Sequence, residues 1–305
     1  MSTLATREMG RTGLQVTSLG YGAMELRGAT RGRQVEPGQV EFMLNNVLDS
    51  GINYIDTSID YGESEESIGK YISHRRSEYY LATKCGCLVA GTPYPEGQSF
   101  PHVFTKQNIT AGVEQSLARM KTDYIDIMQF HGGPSKKTLE EDNAIETLLD
   151  LKREGKIRFL GMSSTLPNLV DHIAMGVFDV FQIPYSALQR QHEDIITKAA
   201  QAGAGIVIRG GAAKGSPSDG KQQTDTWKLW QKAKLDDILD DMTRMEFILR
   251  YTFTHPAMHT TIVGTINPEH LRDNLHALQK GPLPQDIYDE AQRRLAAAGT
   301  APQGN

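Results

Sequence analysis

Two cysteines among 305 residues provide no disulfide framework, and their spacing, Cys85-Gly86-Cys87, is too tight to be bridged easily. Two thiols also fall short of a structural zinc site. The pair reads either as reduced thiols on a loop, as cytosolic conditions keep them, or as a redox or substrate contact, because it directly follows Lys84. Nowhere do about 18 apolar residues run together, so no membrane span is expected. The first ten residues hold no apolar core of signal-peptide length, which makes the cytoplasm the expected setting. Charge of one sign is scarce as well. The formal charge of −5 argues against a nucleic-acid partner, which would call for a basic stripe. It leaves room for a local phosphate site. The nine histidines show no metal-ligand spacing, and no nucleophile elbow or Walker loop is present. No metal is expected.

What the chain does have is one pattern repeated: a short apolar strand, a polar turn and an amphipathic helix. Strands are predicted over 18–22, 53–56, 79–84, 124–130, 159–162, 180–183, 205–208 and 260–263. Between them, apolar residues recur at three- and four-residue spacing, as in Val40, Met43, Leu44, Val47 and Leu48, or Val113, Leu117 and Met120. Gly51, Gly155, Gly176 and Gly203 follow helical stretches where a left-handed terminal residue is wanted. Eight such strands fit a closed parallel (β/α)8 TIM barrel, a single domain over residues 1–305, better than an open sheet. Ahead of it, Gly13 with Leu14, Gln15 and Val16 predicts a small β-hairpin that plugs the barrel floor. Two segments break the alternation, 85–104 and 210–241. As long loops they belong on the C-terminal face, where barrels of this kind keep their active sites. Tyr94, Phe100, His102, Trp227 and Trp230 on them would line an apolar substrate pocket or pack the loops onto the rim.

Four polar residues sit at or just beyond the ends of these strands: Asp56, Tyr61, Lys84 and His131. A phenol is a poor acid at neutral pH. A cation within about 4–6 Å stabilises the phenolate and lowers its pKa. Lys84 can be that cation, with Asp56 holding it charged and His131 orienting a carbonyl oxygen. Taken singly, each has a plainer reading as a barrel ion pair, a helix-start aromatic or a satisfied histidine. The convergence of all four on one rim is what points to proton transfer.

The chain resembles the aldo-keto reductases over most of its length. The resemblance rests on Leu19-Gly20-Tyr21-Gly22-Ala23-Met24, on Asp56 through Gly62 as the D-T-x-x-x-Y-G element, on Thr83-Lys84, and on His131 after Met128-Gln129-Phe130. It implies a catalytic tetrad of Asp56, Tyr61, Lys84 and His131, and cofactor contacts from Gly22, Ala23 and Met24. Ser163 and Ser164 of Gly161-Met162-Ser163-Ser164, with Gln182, would grip a nicotinamide carboxamide, and Tyr185 would stack on its ring. Tyr185 could instead pack against the next helix. Arg209, Gly210, Gly211 and Lys214 lie in the loop that would fold over the pyrophosphate, with Gly210-Gly211-Ala212 replacing the usual proline and leucine. Gly264, Thr265 and His270 would hold the adenosine phosphate at a helix start, a natural anion site. Asp273 and Asn274 would stand near the adenine, and Arg272 would reach the phosphate or point to solvent. Strongly NADPH-selective members carry lysine and arginine where this chain has Gly264 and His270. NADP(H) is still expected ahead of NAD(H).

The implied activity is reduction of a small-molecule carbonyl (aldehyde, ketone or ketosugar) to an alcohol by hydride transfer, with Tyr61 as acid. Two rivals stand beside it: a sugar or alcohol dehydrogenase working mainly in oxidation, and a cofactor-binding regulatory subunit with slow chemistry. The oligomeric state is not readable from the sequence.

Overall fold

The computed structural model describes residues 4–29, 34–89, 92, 101–215 and 224–303. Two strands, β1 (Thr6–Glu8) and β2 (Gln15–Thr17), pair antiparallel as the expected hairpin. Eight more follow, from β3 (Leu19–Gly22), β4 (Tyr54–Asp56), β5 (Tyr80–Cys85) and β6 (Ile125–Phe130) to β7 (Ile157–Ser163), β8 (Val180–Pro184), β9 (Gly205–Arg209) and β10 (Thr260–Val263). Each pairs in parallel with its neighbours, and β10 returns to β3, so the sheet closes into a barrel. All eight lie where the apolar runs predict them, with ends shifted by up to two residues. Cys85 is the last residue of β5 rather than part of a loop, because it stays in register opposite Phe130.

Strand side chains alternate between faces, and here the alternation decides the site. One set forms the inner floor: Tyr54, Ala82, Ile127, Val180 and Val207 cluster with Met9, Leu14 and Val16 of the hairpin segment. The hairpin thus closes the barrel from below. The next inward residue on each of those strands, two positions later, is polar: Asp56, Lys84, Gln129, Gln182 and Arg209. Outward residues such as Leu81, Met128, Leu160, Phe181 and Ile208 join the larger core with the helix faces, including Ile109, Val113 and Leu148. The barrel is therefore dry below and polar at its C-terminal end.

Both long segments reach the C-terminal face. In the first, residues 90, 91 and 93–100, and with them Tyr94 and Phe100, lie outside the described residues. In the second, residues 216–223 do. Trp227 and Trp230 sit on the helix Asp225–Lys232 and are buried, Trp230 edge-on to Phe247 at 5.7 Å. Their partners, Phe247 and Arg244, belong to the helix Arg244–Thr254, so they pack their segment against that helix.

Candidate active site

Asp56, 1% exposed, is the hub. Lys84 Nζ donates to its Oδ1 at 2.6 Å. Gln129 Nε2 and Gln182 Nε2 donate to its Oδ2 at 2.9 and 2.8 Å. Lys84 Nζ also donates to the Thr57 carbonyl oxygen at 2.6 Å and lies 4.8 Å from the Tyr61 ring centre. Burial, the largest influence, pulls the ammonium's pKa down, but the charge and hydrogen bond of Asp56 together with Tyr61 and Asp60 outweigh it and the net shift is upward. Lys84 therefore remains a cation in a place that would otherwise neutralise it.

Tyr61 reaches this pair from the turn after β4. That turn depends on Gly62, whose φ is +50° and whose α-carbon faces the Arg27 carbonyl oxygen so closely that a β-carbon would overlap it. Gly62→Ala is expected to destabilise the fold by about 2 kcal/mol or more, from the left-handed backbone and the backbone clash together. Because the same turn carries Tyr61, kcat should fall alongside. Chemical denaturation and steady-state kinetics on the variant check both.

The sequence reading expects Lys84 to bring the Tyr61 phenol below its ordinary pKa. The structure corrects this. Burial is the largest influence and raises the pKa, Lys84 lowers it, and the net shift is upward. Lys84 limits how weak an acid the buried phenol becomes, and Tyr61 is held protonated.

His131 follows β6, anchored by its backbone N–H on the Cys85 carbonyl oxygen at 3.0 Å. Its ring stands edge-on to Tyr61 at 6.2 Å and to His102 at 5.0 Å. Its Nδ1 lies 3.1 Å from Cys87 Sγ and 3.7 Å from Asp60 Oδ1. Burial, and then the Lys84 charge, push its pKa down to about 3, so the imidazole is neutral around pH 7. Both cysteines are free and buried, and burial raises both thiol pKa values. Cys87, His102 and His131 bring potential ligand atoms within 4.8 Å of one another. This grouping joins residues 44 positions apart in sequence at its widest, Cys87 to His131, so spacing gave no sign of it.

A cavity of about 220 Å³ opens on these groups, lined by Tyr61, His131, Ser163, Ser164, Gln182 and Arg209 among others. Ser163 Oγ donates to Gln182 Oε1 at 3.2 Å, and the Ser164 N–H donates to the Gln182 carbonyl oxygen at 3.2 Å. A larger groove of about 490 Å³ runs between the 188–192 segment and 299–303. It shares Thr165 with the first cavity and holds none of the four tetrad residues.

Other expected cofactor residues are spread more widely. Tyr185 does not line the cavity: it is wholly buried, 5.0 Å edge-on to His255 and 6.2 Å from the Tyr251 ring. The cause is strand alternation, since Gln182 faces inward and position 185 therefore faces out. Arg209, expected among the cofactor contacts, lines the cavity with Tyr61, Ser163 and Gln182. Gly210 has φ +73°, while the Gly211 carbonyl oxygen accepts from Thr252 Oγ1 at 2.9 Å. Lys214 belongs to the short helix Ala213–Gly215, but its side chain lies outside the described residues. Gly22 ends β3, Ala23 is buried and Met24 is 41% exposed. A β-carbon on Gly264 would come within 2.5 Å of the Gly22 carbonyl oxygen. That close approach is the physical reason the position carries no lysine here.

Thr265 Oγ1 accepts from the Asn267 N–H at 3.0 Å, and Asn267 caps the helix Pro268–Lys280. On that helix His270 and Asp273 are exposed and Asn274 is buried. Arg272 pairs with Glu269 at 3.4 Å in solvent. Sequence reasoning missed Gln129. It stands within the quoted Met128-Gln129-Phe130-His131 segment, two positions before His131 and therefore on the same inward face, which is the signal that finds it.

The comparisons agree with this geometry. Residues 18–294 match the model of the aldo/keto reductase family. Over 289 residues the chain is 29% identical to an uncharacterized oxidoreductase, YqkF, of Bacillus subtilis (strain 168), covering 89% of this chain and 90% of that protein. It is 27% identical over 299 residues to L-galactose dehydrogenase of Arabidopsis thaliana, covering 91% of this chain and 89% of the relative. Among solved structures, the holo form of aldo-keto reductase AKR11C1 from Bacillus halodurans superposes with a TM-score of 0.83 at 27% identity. The match covers 95% of this chain and 96% of that one.

Proposed function

The chain belongs to the aldo/keto reductase family, and from that premise we propose that it reduces a small carbonyl compound to an alcohol with a nicotinamide dinucleotide. The observation that carries this reading is the Tyr61 phenol set against a buried Lys84–Asp56 pair on the wall of a cavity. When bound, the reduced nicotinamide supplies the hydride. The chain's own groups supply proton, orientation and exclusion of water.

Tyr61 donates its O–H to the carbonyl oxygen as negative charge develops there. Lys84 stabilises the phenolate left behind, and Asp56 fixes the ammonium on the phenol side. The Cys87 thiol, kept protonated by burial, donates to His131 Nδ1. That leaves the proton of neutral His131 on Nε2, free to donate to the same oxygen and orient it. Donors fixed in advance around a developing charge act without reorganising, which is where such sites gain most of their rate.

The residues present fit the cofactor. Ser163 and Gln182 present hydrogen-bonding side chains on the cavity wall, and each atom that binds the other or Asp56 keeps spare capacity. Gly264 leaves backbone bare beside Gly22, and the positive N-terminal end of the helix Pro268–Lys280 suits a phosphate, with Asn267 already capping its Glu269 N–H. NADP(H) is the expected partner ahead of NAD(H), with His270 and Arg272 the basic side chains in the first turns of that helix.

Likeness to L-galactose dehydrogenase favours a second reading, in which the same groups run the reaction in reverse and oxidise a sugar or an alcohol. Nicotinamide fluorescence titration with both cofactors, then rates in both directions on aldehydes, ketones and ketosugars, tests the proposal. Tighter binding of NADPH and faster reduction are expected. No binding of either cofactor overturns it, and faster oxidation selects the second reading.

A further inference from the structure

Cys87, His102 and His131 each present one ligand atom, and the three atoms lie within 4.8 Å of one another. The proposed reduction engages only Cys87 and His131, whose Sγ and Nδ1 stand 3.1 Å apart. His102 is left without a task, although its Nε2 is buried and has no hydrogen-bond partner among the described residues. A bare buried ring nitrogen carries a cost that a ligated ion would remove.

Hydrogen bonds of the backbone hold the three residues together. Cys87 and His102 face each other across an antiparallel bridge, and the Val103 N–H donates to the Gly86 carbonyl oxygen at 2.6 Å. Asn108 Nδ2 ties both sides of this reversal, donating to the Cys87 and Val103 carbonyl oxygens at 3.1 and 2.8 Å. His131 is pinned to the same stretch through the Cys85 carbonyl oxygen. Gly132 lets the His102 ring come close, since a β-carbon there would lie 3.2 Å from it. A thiolate with two imidazoles on a preset frame is a donor set for a zinc-class cation, and three protein ligands leave one position open. Zinc bonds of about 2.3 Å to sulfur and about 2.0–2.1 Å to nitrogen set tetrahedral ligand atoms roughly 3.3–3.6 Å apart. No pair here needs to close by more than about 1.5 Å to reach that spacing.

We propose that Cys87, His102 and His131 form a binding site for a divalent zinc-class cation, with water or Asp60 at the fourth position. Asp60 Oδ1 lies 3.7 Å from His131 Nδ1. The ion takes the place of the Cys87 proton: the S–H bond breaks, the sulfur binds the metal as thiolate, and the proton leaves to solvent. His131 binds through the Nδ1 lone pair that otherwise accepts from the thiol, so the proton on Nε2 stays. The thiolate and Asp60 offset the charge of the ion, and Lys84 nearby is already paired with Asp56 at 2.6 Å. One consequence rests on the reductase reading, whereas the site itself does not. Ligation re-seats the His131 ring, and because a misplacement on the order of 1 Å can cost about 100-fold in rate, zinc acts as a brake on carbonyl reduction.

The test titrates the untagged, cofactor-free chain with cadmium and with zinc, as wild type, His102→Phe and Cys87→Ser. His102→Phe keeps a ring to stack on Phe104 and removes both nitrogens. Wild type should bind one ion per chain and show the ultraviolet thiolate-to-cadmium band. His102→Phe should weaken zinc by at least the roughly 10–100-fold that loss of a supporting partner costs, and Cys87→Ser should abolish the band. No band in wild type, a band that survives Cys87→Ser, or equal zinc affinity in wild type and His102→Phe overturns the proposal. Should a variant fail to fold, cobalt in wild type decides. Intense visible absorption with a thiolate charge-transfer band, the mark of a four-coordinate ion, upholds the site; a weak six-coordinate spectrum overturns it. In steady-state reduction, zinc should lower kcat of wild type by about tenfold or more, reversibly with a chelator, and should lose that effect in His102→Phe. Zinc bound with the rate unchanged upholds the site and overturns the brake. Metal bound with no turnover of any substrate fails the reductase reading and upholds the site.

Discussion

Tyr61→Phe is expected to lower kcat for carbonyl reduction by about 10³-fold, within the range set by a positioned general acid, with nicotinamide affinity unchanged. The substitution removes one oxygen and leaves the ring to pack edge-on against His131. The Asp56 network of Lys84, Gln129 and Gln182 does not pass through the phenol and should persist. The pH profile gives a second signature. The reaction needs the phenol protonated, and burial raises its pKa above the ordinary tyrosine value of 10. Reduction by the wild type should therefore hold level through neutrality and decline only above that value. The residual rate of the variant should lack this alkaline decline. Steady-state rates across pH, paired with fluorescence titration of the cofactor, check both. A loss smaller than about tenfold would remove Tyr61 from the acid's role.

Alternation along the strands explains which parts of this site were legible in the sequence. The eight apolar runs were visible as such, and with them the barrel, because each strand is buried on both faces and reads as a continuous stretch. Asp56 and Lys84 could be picked out because a charge ending such a run is rare. Reading the inward parity as well would have done more. Tyr54, Ala82, Ile127, Val180 and Val207 face the floor, so Asp56, Lys84, Gln129, Gln182 and Arg209 must face the mouth, and Tyr185 must not. Gln129 was overlooked, and Tyr185 misplaced, for want of that step. Other features have no local pattern to read. The Cys87–His102–His131 grouping depends on a chain reversal that pairs Cys87 with His102. The net direction of the Tyr61 shift is a contest between burial and one charge, and sequence reveals the charge but not the depth.

That contest makes Lys84 the second position with a large expected effect. Lys84→Met keeps the side chain's length and apolar stem but deletes a cation that is 1% exposed. Asp56 would then lie in the barrel with Gln129 and Gln182 as its remaining donors. Stranding one partner of a buried ion pair costs about 3–5 kcal/mol, so the denaturation midpoint should drop sharply. Activity should fall for a different reason. Lys84 is the group that opposes the upward push on the Tyr61 phenol. Without it the phenol becomes a weaker acid, the rate declines, and any remaining alkaline limb moves to higher pH. The double variant Lys84→Met/Asp56→Leu separates the two effects. An apolar pair removes the stranded carboxylate, so much of the stability should return, while turnover stays low because no cation faces the phenol. If turnover returned along with stability, Lys84 would be a structural ion-pair partner and not the group that tunes Tyr61.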